Sequence, residues 1–333
     1  MPTVIAIGTS SGGQKALKEL LSHLKQDFPA ALMVVSHLYP HQPSRLPEIL
    51  ARVTSLQVVP ATHGETVQHG YVYLAVPDRH LMLVGDQIRL TRGPKENASR
   101  PAIDVLFRSC ALSLGTRAIG VVLTGQLDDG TAGLWTIKEL HGQAIVQLPE
   151  DAEFPSMPQS ALKHVVADYV TRLGDMPAVF FEAIRKSQHR LGGDAVSDKL
   201  RIETQIAQGR DALASGSLEL GPPTELTCPD CGGVLSEIEE GSITRFRCHT
   251  GHAYSAQTLS DGTDERIDEL LWQALRATDE RTLILRRQAA AANASGNSEA
   301  IEHWQRRIEE NRQCGNFIRS LLQETASLGK AEK

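Results

Sequence analysis

The sequence predicts an α/β protein: a doubly wound, mainly parallel sheet with helices on both faces, then a small cysteine-rich module, then an αα-hairpin tail. Three observations predict it. Short β-branched apolar runs alternate with helical patterns over residues 1–185, as in a parallel sheet buried on both faces. Three cysteines, Cys228, Cys231 and Cys248, crowd one short segment. Beyond residue 261, apolar residues recur at helical spacing on either side of a single break.

In chain order, strands are expected at 4–7, Ala31–Ser36, 58–59, 71–75, 81–84, 88–90, 118–124, 144–147 and 168–171. The run 81–90, with Gly85-Asp86-Gln87 between its apolar halves, reads as a β-hairpin appended to the sheet. Helices are expected at 13–25, where Ala16, Leu17, Leu20, Leu21 and Leu24 share one face, and at 101–114, 131–140 and 158–164. Residues 186–223 turn polar, with the Gly192-Gly193 pair, a helix-like stretch near 198–209 and Gly/Ser-rich spacing after it, which is linker composition. The cysteine-rich module then occupies 224–260 and the tail 261–333. In the tail Ile267, Leu270, Leu271, Ala274, Leu275 and Thr278 keep helical spacing, residues 293–297 break it, and Ile301, Trp304, Ile308, Asn311, Gly315, Ile318 and Leu322 resume it. Cys110 and Cys314 fall within helical patterns and are expected to be packed thiols.

Composition excludes several classes. The chain is 41% hydrophobic and 22% charged, and no apolar run approaches the roughly 18 to 20 residues of a membrane span. The first apolar run begins almost at Met1 without a basic leader, so no secretory signal is expected and the cytoplasm is the expected compartment. A formal charge of −6 gives no global attraction to nucleic acid. Five cysteines among 333 residues do not make a disulfide framework.

Gly8-Thr9-Ser10-Ser11-Gly12-Gly13 lies between an expected strand and an expected helix, placing a serine at the carboxyl edge of the sheet, where open α/β sheets bind ligands. Gly8-x-Ser10-x-Gly12 fits the nucleophile-elbow pattern, with glycines to allow the sharp turn and a helix N-terminus to offer free N–H groups to an oxyanion. A glycine-rich turn that only grips an anion uses the same letters. A serine hydroxyl needs a base, and the base needs an orienting acid. His37 follows the second expected strand, and Asp128-Asp129-Gly130 follows the strand expected at 118–124. All three groups therefore leave one rim of the sheet, whereas anion binding requires neither the histidine nor the aspartates.

These residues carry a resemblance. Ile7-Gly8-Thr9-Ser10-Ser11-Gly12-Gly13, Val35-Ser36-His37, the run 73–80, the run 100–109 beginning Arg100-Pro101, and Leu123-Thr124-Gly125-Gln126-Leu127-Asp128-Asp129-Gly130 resemble, in order, the catalytic domain of CheB-type protein-glutamate methylesterases over about residues 1–175. Met157-Pro158 resembles the family's Met-Pro element. The resemblance implies Ser10 as nucleophile rather than Ser11, His37 as base, Asp129 as acid, and the Ser11 and Gln126 backbone N–H groups as the oxyanion hole. It also implies hydrolysis of glutamate methyl esters on a methylated chemoreceptor or another methylated protein, with glutamine deamidation as a second outcome of the same acyl chemistry. The chain order Ser, His, Asp differs from the Ser, Asp, His order of α/β-hydrolases. Two departures stand out. Gln126 and Leu127 occupy positions where the family usually has methionine and glycine, and no receiver domain precedes the first strand, so control through a fused receiver is not expected. His80 matches a family position in a substrate-side loop, with a structural role equally open, and Arg79, Arg100 and Arg108 read as solvated surface.

In the module, Cys228-Pro229-Asp230-Cys231 precedes Cys248-His249-Thr250-Gly251-His252. Two thiolates from one tight turn and a Cys/His pair from another make a closed tetrahedral set for a structural Zn²⁺: Cys228, Cys231, Cys248 and His252, with His249 as the alternative fourth ligand. No cofactor is expected in catalysis. The module is too small for a core of its own and is expected to position the tail or receive a signalling partner. Two competing readings are a non-catalytic signalling adaptor or anion-binding module on the same fold, and a small-molecule esterase, which a deep closed pocket would favour.

Overall fold

The first strand, β1 (Val4–Thr9), is buried at all six positions, as only a strand covered on both faces can be. The computed structural model describes residues 2–37, 44–188 and 196–328, with side chains to residue 323. After β1 come α1 (Gly13–Ser22), β2 (Ala31–Ser36), α2 (Leu46–Ala51), β3 (Gln57–Pro60), β4 (Tyr71–Leu74), β5 (His80–Val84), β6 (Gln87–Thr91) and α3 (Ile103–Leu114). They are followed by β7 (Ile119–Val122), α4 (Thr131–Glu139), β8 (Gln143–Gln147), α5 (Ser156–His164), β9 (Tyr169–Thr171) and α6 (Met176–Gln188). Seven strands form one sheet in the order β3-β4-β2-β1-β7-β8-β9, and every pairing in it is parallel. The doubly wound α/β fold expected from the apolar alternation is the fold observed.

Alternation along β1 divides the core. Val4 and Ala6 face one layer with Leu106, Phe107, Ile137 and Ala161, while Ile5 and Ile7 face the other with Leu17, Leu20, Leu21 and Phe180. The chain runs from β1 outward to β2 and later returns to β7 on the other side of β1, so the sheet's switch point, where a ligand crevice opens, lies at the ends of β1, β2 and β7.

Two elements differ from expectation. β5 and β6 do pair as a hairpin, but they form their own two-stranded sheet rather than extending the large one. Leu81, Leu83 and Ile88 are buried in the core, and Ser109 and Ser113 of α3 bond the Leu83 backbone at 3.0 and 2.8 Å, so the hairpin lies over α3 instead of lengthening a sheet edge. Within 186–223 the helix-like stretch expected near 198–209 is helix α7 (Asp198–Ala207), but it is packed rather than a free linker: Leu200, Glu203, Thr204, Ile206 and Ala207 are buried. The Gly192-Gly193 pair lies outside the described residues.

The cysteine-rich segment builds a four-stranded antiparallel sheet. Its strands are β10 (Pro223–Thr227), β11 (Val234–Glu240), β12 (Ile243–Cys248) and β13 (Ala253–Ser255), in that order. Leu235, Phe246, Tyr254 and Leu259 form its small core with Cys228 and Cys248. The chain forms two compact units, Met1–Leu259 and Ser260–Lys333, so this sheet and α7 belong to the first. The second unit is a helical hairpin, in which α8 (Ala256–Ala294) and α9 (Ser298–Leu328) meet at the break expected near 293–297. Away from that turn Leu275, Ile318 and Leu322 pack together between the two helices, and the buried Asn311 donates to Thr278 O at 2.6 Å and Thr282 Oγ1 at 2.8 Å, fixing the register. Cys110 is buried as expected, but Cys314 is exposed because it falls off the packed stripe of α9.

Candidate active site and cation cluster

Thr9 and Ser36 are register partners at the ends of β1 and β2, so the next residues, Ser10 and His37, leave adjacent strands side by side. Ser10 Oγ lies 3.0 Å from His37 Nδ1, and His37 Nε2 lies 2.8 Å from Asp129 Oδ2, on the loop that follows β7. The three side chains thus form a continuous hydrogen-bonded chain across three neighbouring strand ends. Asp129 is buried and His37 partly exposed, with its ring between the carboxylate and an open cleft. That cleft, about 470 Å³, is lined by Ser10, Gly12, His37, Arg45, Leu46 and Glu153.

The turn beneath Ser10 is built differently from a strained elbow. Gly12, at φ +77°, carries the left-handed residue, whereas Gly8 serves close packing: a Cβ there would meet Ile103 Cγ2 at 2.2 Å. Ser10 N donates to Thr124 O at 3.0 Å and Thr124 Oγ1 donates to Ser11 O at 3.0 Å, which ties the turn to the end of β7. Gly125 N is occupied by Phe154 O, and Met157 N by Gly125 O. Among the described residues, no protein group accepts from the backbone N–H of Ser11 or Gln126.

Asp129 is held by more than the histidine. Its Oδ2 also accepts from Ile103 N at 2.7 Å, and its Oδ1 accepts from Asp104 N at 3.2 Å and Asn97 Nδ2 at 3.0 Å. Burial alone would push its pKa up, but the hydrogen bonds from His37, the Ile103 amide and Asn97 outweigh it and hold the carboxyl below its ordinary range. The neighbouring Asp104 goes the other way, pushed up to about 7 by burial and by the Asp129 charge. Sequence reasoning does not find Asn97 or Asp104. Nothing in Glu96-Asn97-Ala98 signals chemistry, and an acidic residue in a first helical turn is ordinary.

His80 is fully buried, donates from Nε2 to Pro94 O at 2.9 Å and accepts the Ala102 amide at Nδ1, which makes it a loop brace. Arg108, read as surface, is 2% exposed and pairs with Glu96, and Arg100 is bound to Asp78 and to Gly93 O.

In the cysteine-rich sheet, the donor atoms of Cys228, Cys231, Cys248 and His252 all lie within 4.8 Å of one another. His252 Nδ1 is 3.7 Å from Cys228 Sγ and 3.6 Å from Cys248 Sγ, and Cys231 and Cys248 sulfurs are 3.7 Å apart. A tetrahedral ion with bonds of about 2.0 to 2.3 Å separates its ligands by about 3.5 to 3.8 Å. The four residues therefore fit a metal ion. His249 points elsewhere, against Gly233. Tyr254 Oη lies 3.3 Å from Cys228 Sγ and donates its proton to Asp230, and Cys231 Sγ lies 3.5 Å from Thr250 Oγ1, so polar groups border the ligand set.

Residues 5–180 match the family model described as CheB methylesterase. The chain belongs to the CheB methylesterase family. The crystal structure of the Thermotoga maritima CheB methylesterase catalytic domain superposes with a TM-score of 0.52 at 32% identity, covering 55% of this chain and 98% of that one. A Leptospira interrogans protein is 36% identical over 188 residues, 56% of this chain and 96% of its own length. A Methanosarcina mazei relative, "Protein-glutamate methylesterase/protein-glutamine glutaminase 2", is 34% identical over 190 residues; the match covers 55% of this chain and 52% of that relative. The CheB methylesterase match ends at residue 180, so α7, the cysteine-rich sheet and the helical hairpin lie beyond it. Among the described residues no helix is long and apolar enough to cross a membrane.

Proposed function

We propose that this hydrolase cleaves glutamate methyl esters on a methylated chemoreceptor-like protein, with Ser10 as nucleophile, His37 as general base and Asp129 as orienting acid. The hydrogen-bonded chain from Ser10 through His37 to Asp129, in a chain of this family, carries the reading. Asp129 Oδ2 accepts the His37 Nε2 proton, which leaves Nδ1 unprotonated and facing Ser10 Oγ. As Oγ attacks the ester carbonyl, Nδ1 takes its proton and Asp129 stabilises the imidazolium. The backbone N–H groups of Ser11 and Gln126 receive the carbonyl oxygen as it becomes an oxyanion. His37 then protonates the departing methoxide and methanol leaves. Water, deprotonated by the same Nδ1, cleaves the acyl-serine to a free glutamate side chain and restores Ser10. A glutamine side chain follows the same path with ammonia as leaving group. The open cleft at Ser10 suits a side chain on a polypeptide better than an enclosed small molecule.

We assign the cysteine cluster to a structural zinc ion. Four protein donors close the tetrahedron and leave no position for a reacting water, so the ion supplies folding energy to a small sheet.

The experiment is methanol release from a methylated chemoreceptor fragment, with wild type and Ser10→Ala in parallel. Release by the wild type and a loss of several orders of magnitude in a folded Ser10→Ala protein is the expected result. A Ser10→Ala protein that hydrolyses at the wild-type rate removes Ser10 from the role.

A further inference from the structure

Asn97 is the residue through which the cysteine-rich sheet touches the site. Its side-chain Nδ2 donates to Asp129 Oδ1 at 3.0 Å and to Asp104 Oδ2 at 2.9 Å. Its Oδ1 accepts from Ser255 N at 3.0 Å and from Thr258 Oγ1 at 3.3 Å. One amide therefore spends both donors on the side chains of Asp129 and Asp104 and its acceptor on the end of β13 and the first turn of α8. The backbone is clamped in the same place: Ala253 N donates to Lys95 O at 3.2 Å, and Asn97 N donates to Ala253 O at 2.8 Å. Asn97 itself is held at φ +51°, a conformation that surrounding contacts must maintain. A second tie runs alongside, from Ser255 Oγ to Asp128 Oδ1 at 2.9 Å, one residue before the acid.

The strand that makes these contacts directly follows two members of the Cys/His cluster. Cys248 and His252 flank the turn that leads directly into Ala253, and that turn closes through Cys248 N to His252 O at 3.0 Å and Gly251 N to Cys248 O at 2.9 Å. Arg247 reinforces it, bonding Gly251 O at 2.8 Å with one amino group and Glu96, the neighbour of Asn97, at 2.9 Å with the other.

We infer that the cation-loaded C-terminal sheet positions the acid of the triad, with Asn97 as the positioning residue that carries the ion's ordering effect from the Cys248–His252 turn through β13 to Asp129. This rests on the reading of Ser10, His37 and Asp129 as the triad. In this chain the control over nucleophile geometry then comes from a segment beyond the family-matched region. An ion holds the turn, the turn holds β13, and β13 holds the loop whose amide fixes Asp129 against His37. Loss of the ion leaves Ser10 and His37 on their strands and loosens the third member.

The test uses the full chain in five forms: zinc-loaded wild type, wild type stripped by a chelator, zinc-loaded Asn97→Ala, stripped Asn97→Ala and zinc-loaded Ser255→Ala. Two readouts are independent of the natural substrate: the rate at which a fluorophosphonate labels Ser10, and the downfield proton resonance of the His37 Nε2–H bonded to Asp129. Stripping and Asn97→Ala are each expected to slow labelling about 10- to 100-fold and to shift or broaden that resonance, while amide signals of β1, β2 and β7 stay in place. Returned Zn²⁺ restores the stripped wild type, and stripping Asn97→Ala adds no further loss, because the path is already cut. Stripped wild type that labels at the loaded rate with an unchanged resonance overturns the inference. Should stripping unfold the protein, Asn97→Ala and Ser255→Ala decide, since both keep the ion; normal labelling and resonance in both also overturn it. Normal coupling without methanol release from the receptor fragment would defeat the substrate reading and leave this one standing.

Discussion

The Asp129 carboxylate serves His37 and Ile103 with a single oxygen: Oδ2 accepts from His37 Nε2 at 2.8 Å and from the Ile103 backbone N–H, in the first turn of α3, at 2.7 Å. The carboxylate that bonds His37 is thus also the partner of a helix N-terminus, where ionised carboxylates are stabilised. The α3 terminus fixes the oxygen that fixes the imidazole.

Asp129→Asn tests this double duty. All four groups facing the carboxylate are donors, so either orientation of an asparagine amide sets an NH₂ group against two of them. His37 is expected to turn over its tautomer, placing a proton on Nδ1 toward Ser10 and removing the base, with a loss of about 10⁴-fold in kcat. Stability should also fall, by about 1–3 kcal/mol, because buried donors lose an acceptor. Methanol-release kinetics and urea unfolding measure the two effects separately; a variant with wild-type kcat would show that His37 does not depend on this carboxylate.

The sheet was legible because parallel strands buried on both faces must be apolar throughout, as Val4 to Ile7 and Ala31 to Val35 are. Ser10 and His37 were legible because each directly follows such a run. Asn97 and Asp104 were not, since their roles depend on where the loop before α3 meets β13 in space, and no periodicity encodes that. Helix α7 was legible as a helix-like stretch near 198–209, but its packing was not, because its buried face includes a charge, Glu203, and a charged residue in a polar stretch reads as solvent-facing.

Leu127 stands where the family usually has glycine, and it adopts φ +62° with its side chain partly exposed. A left-handed conformation costs a residue with a Cβ about 1–2 kcal/mol, and the freer unfolded chain of a glycine variant returns about 0.4–1 kcal/mol of that. Leu127→Gly is expected to raise stability by up to about 1 kcal/mol, a rise in Tm of about 2–4 °C, with Ser10 chemistry retained. A thermal melt decides it, and a lowered Tm would show that the Leu127 side chain contributes contacts worth more than the strain.

Asp104 gives the folded state a distinctive pH dependence. Its pKa is raised from 3.8 to about 7 by burial and by the Asp129 charge, so between those values the folded protein keeps a proton that the unfolded chain releases. The unfolded state binds fewer protons there, and this group's contribution to stability therefore declines as pH rises from about 4 to about 7. Asp104→Asn cannot titrate, while its Oδ1 can still accept the Gly133 amide that Asp104 now accepts at 2.6 Å. Melting temperatures of the two proteins, measured stepwise across that window, should show a flatter profile in the variant. A wild-type-to-variant gap that is constant with pH would place the Asp104 titration outside the window.

The strongest test of how firmly the C-terminal sheet is joined to the catalytic domain lies in a buried ionic cluster. Glu203 of α7 takes a two-point bond from Arg245 at 2.9 and 2.8 Å and another from Arg247 at 2.8 Å, while Glu96 pairs with Arg108 and Arg247, and Glu240 with Arg245. Three guanidinium groups balance three carboxylates, every one of them at most 10% exposed. Such a cluster adds little net stability over a well-packed apolar one, because each charge was taken out of water, but removing one member leaves an uncompensated buried charge at a cost of about 3–5 kcal/mol. Glu203→Gln keeps the shape and removes the charge, so it should show nearly that full loss in urea unfolding. Lys15→Ala, at a surface pair whose side chains are 79% and 47% exposed, should change stability by no more than about 1 kcal/mol. Comparable small effects from both would mean that α7 and the cysteine-rich sheet are held to α3 by their apolar contacts, and that the six buried charges contribute alignment and not cohesion.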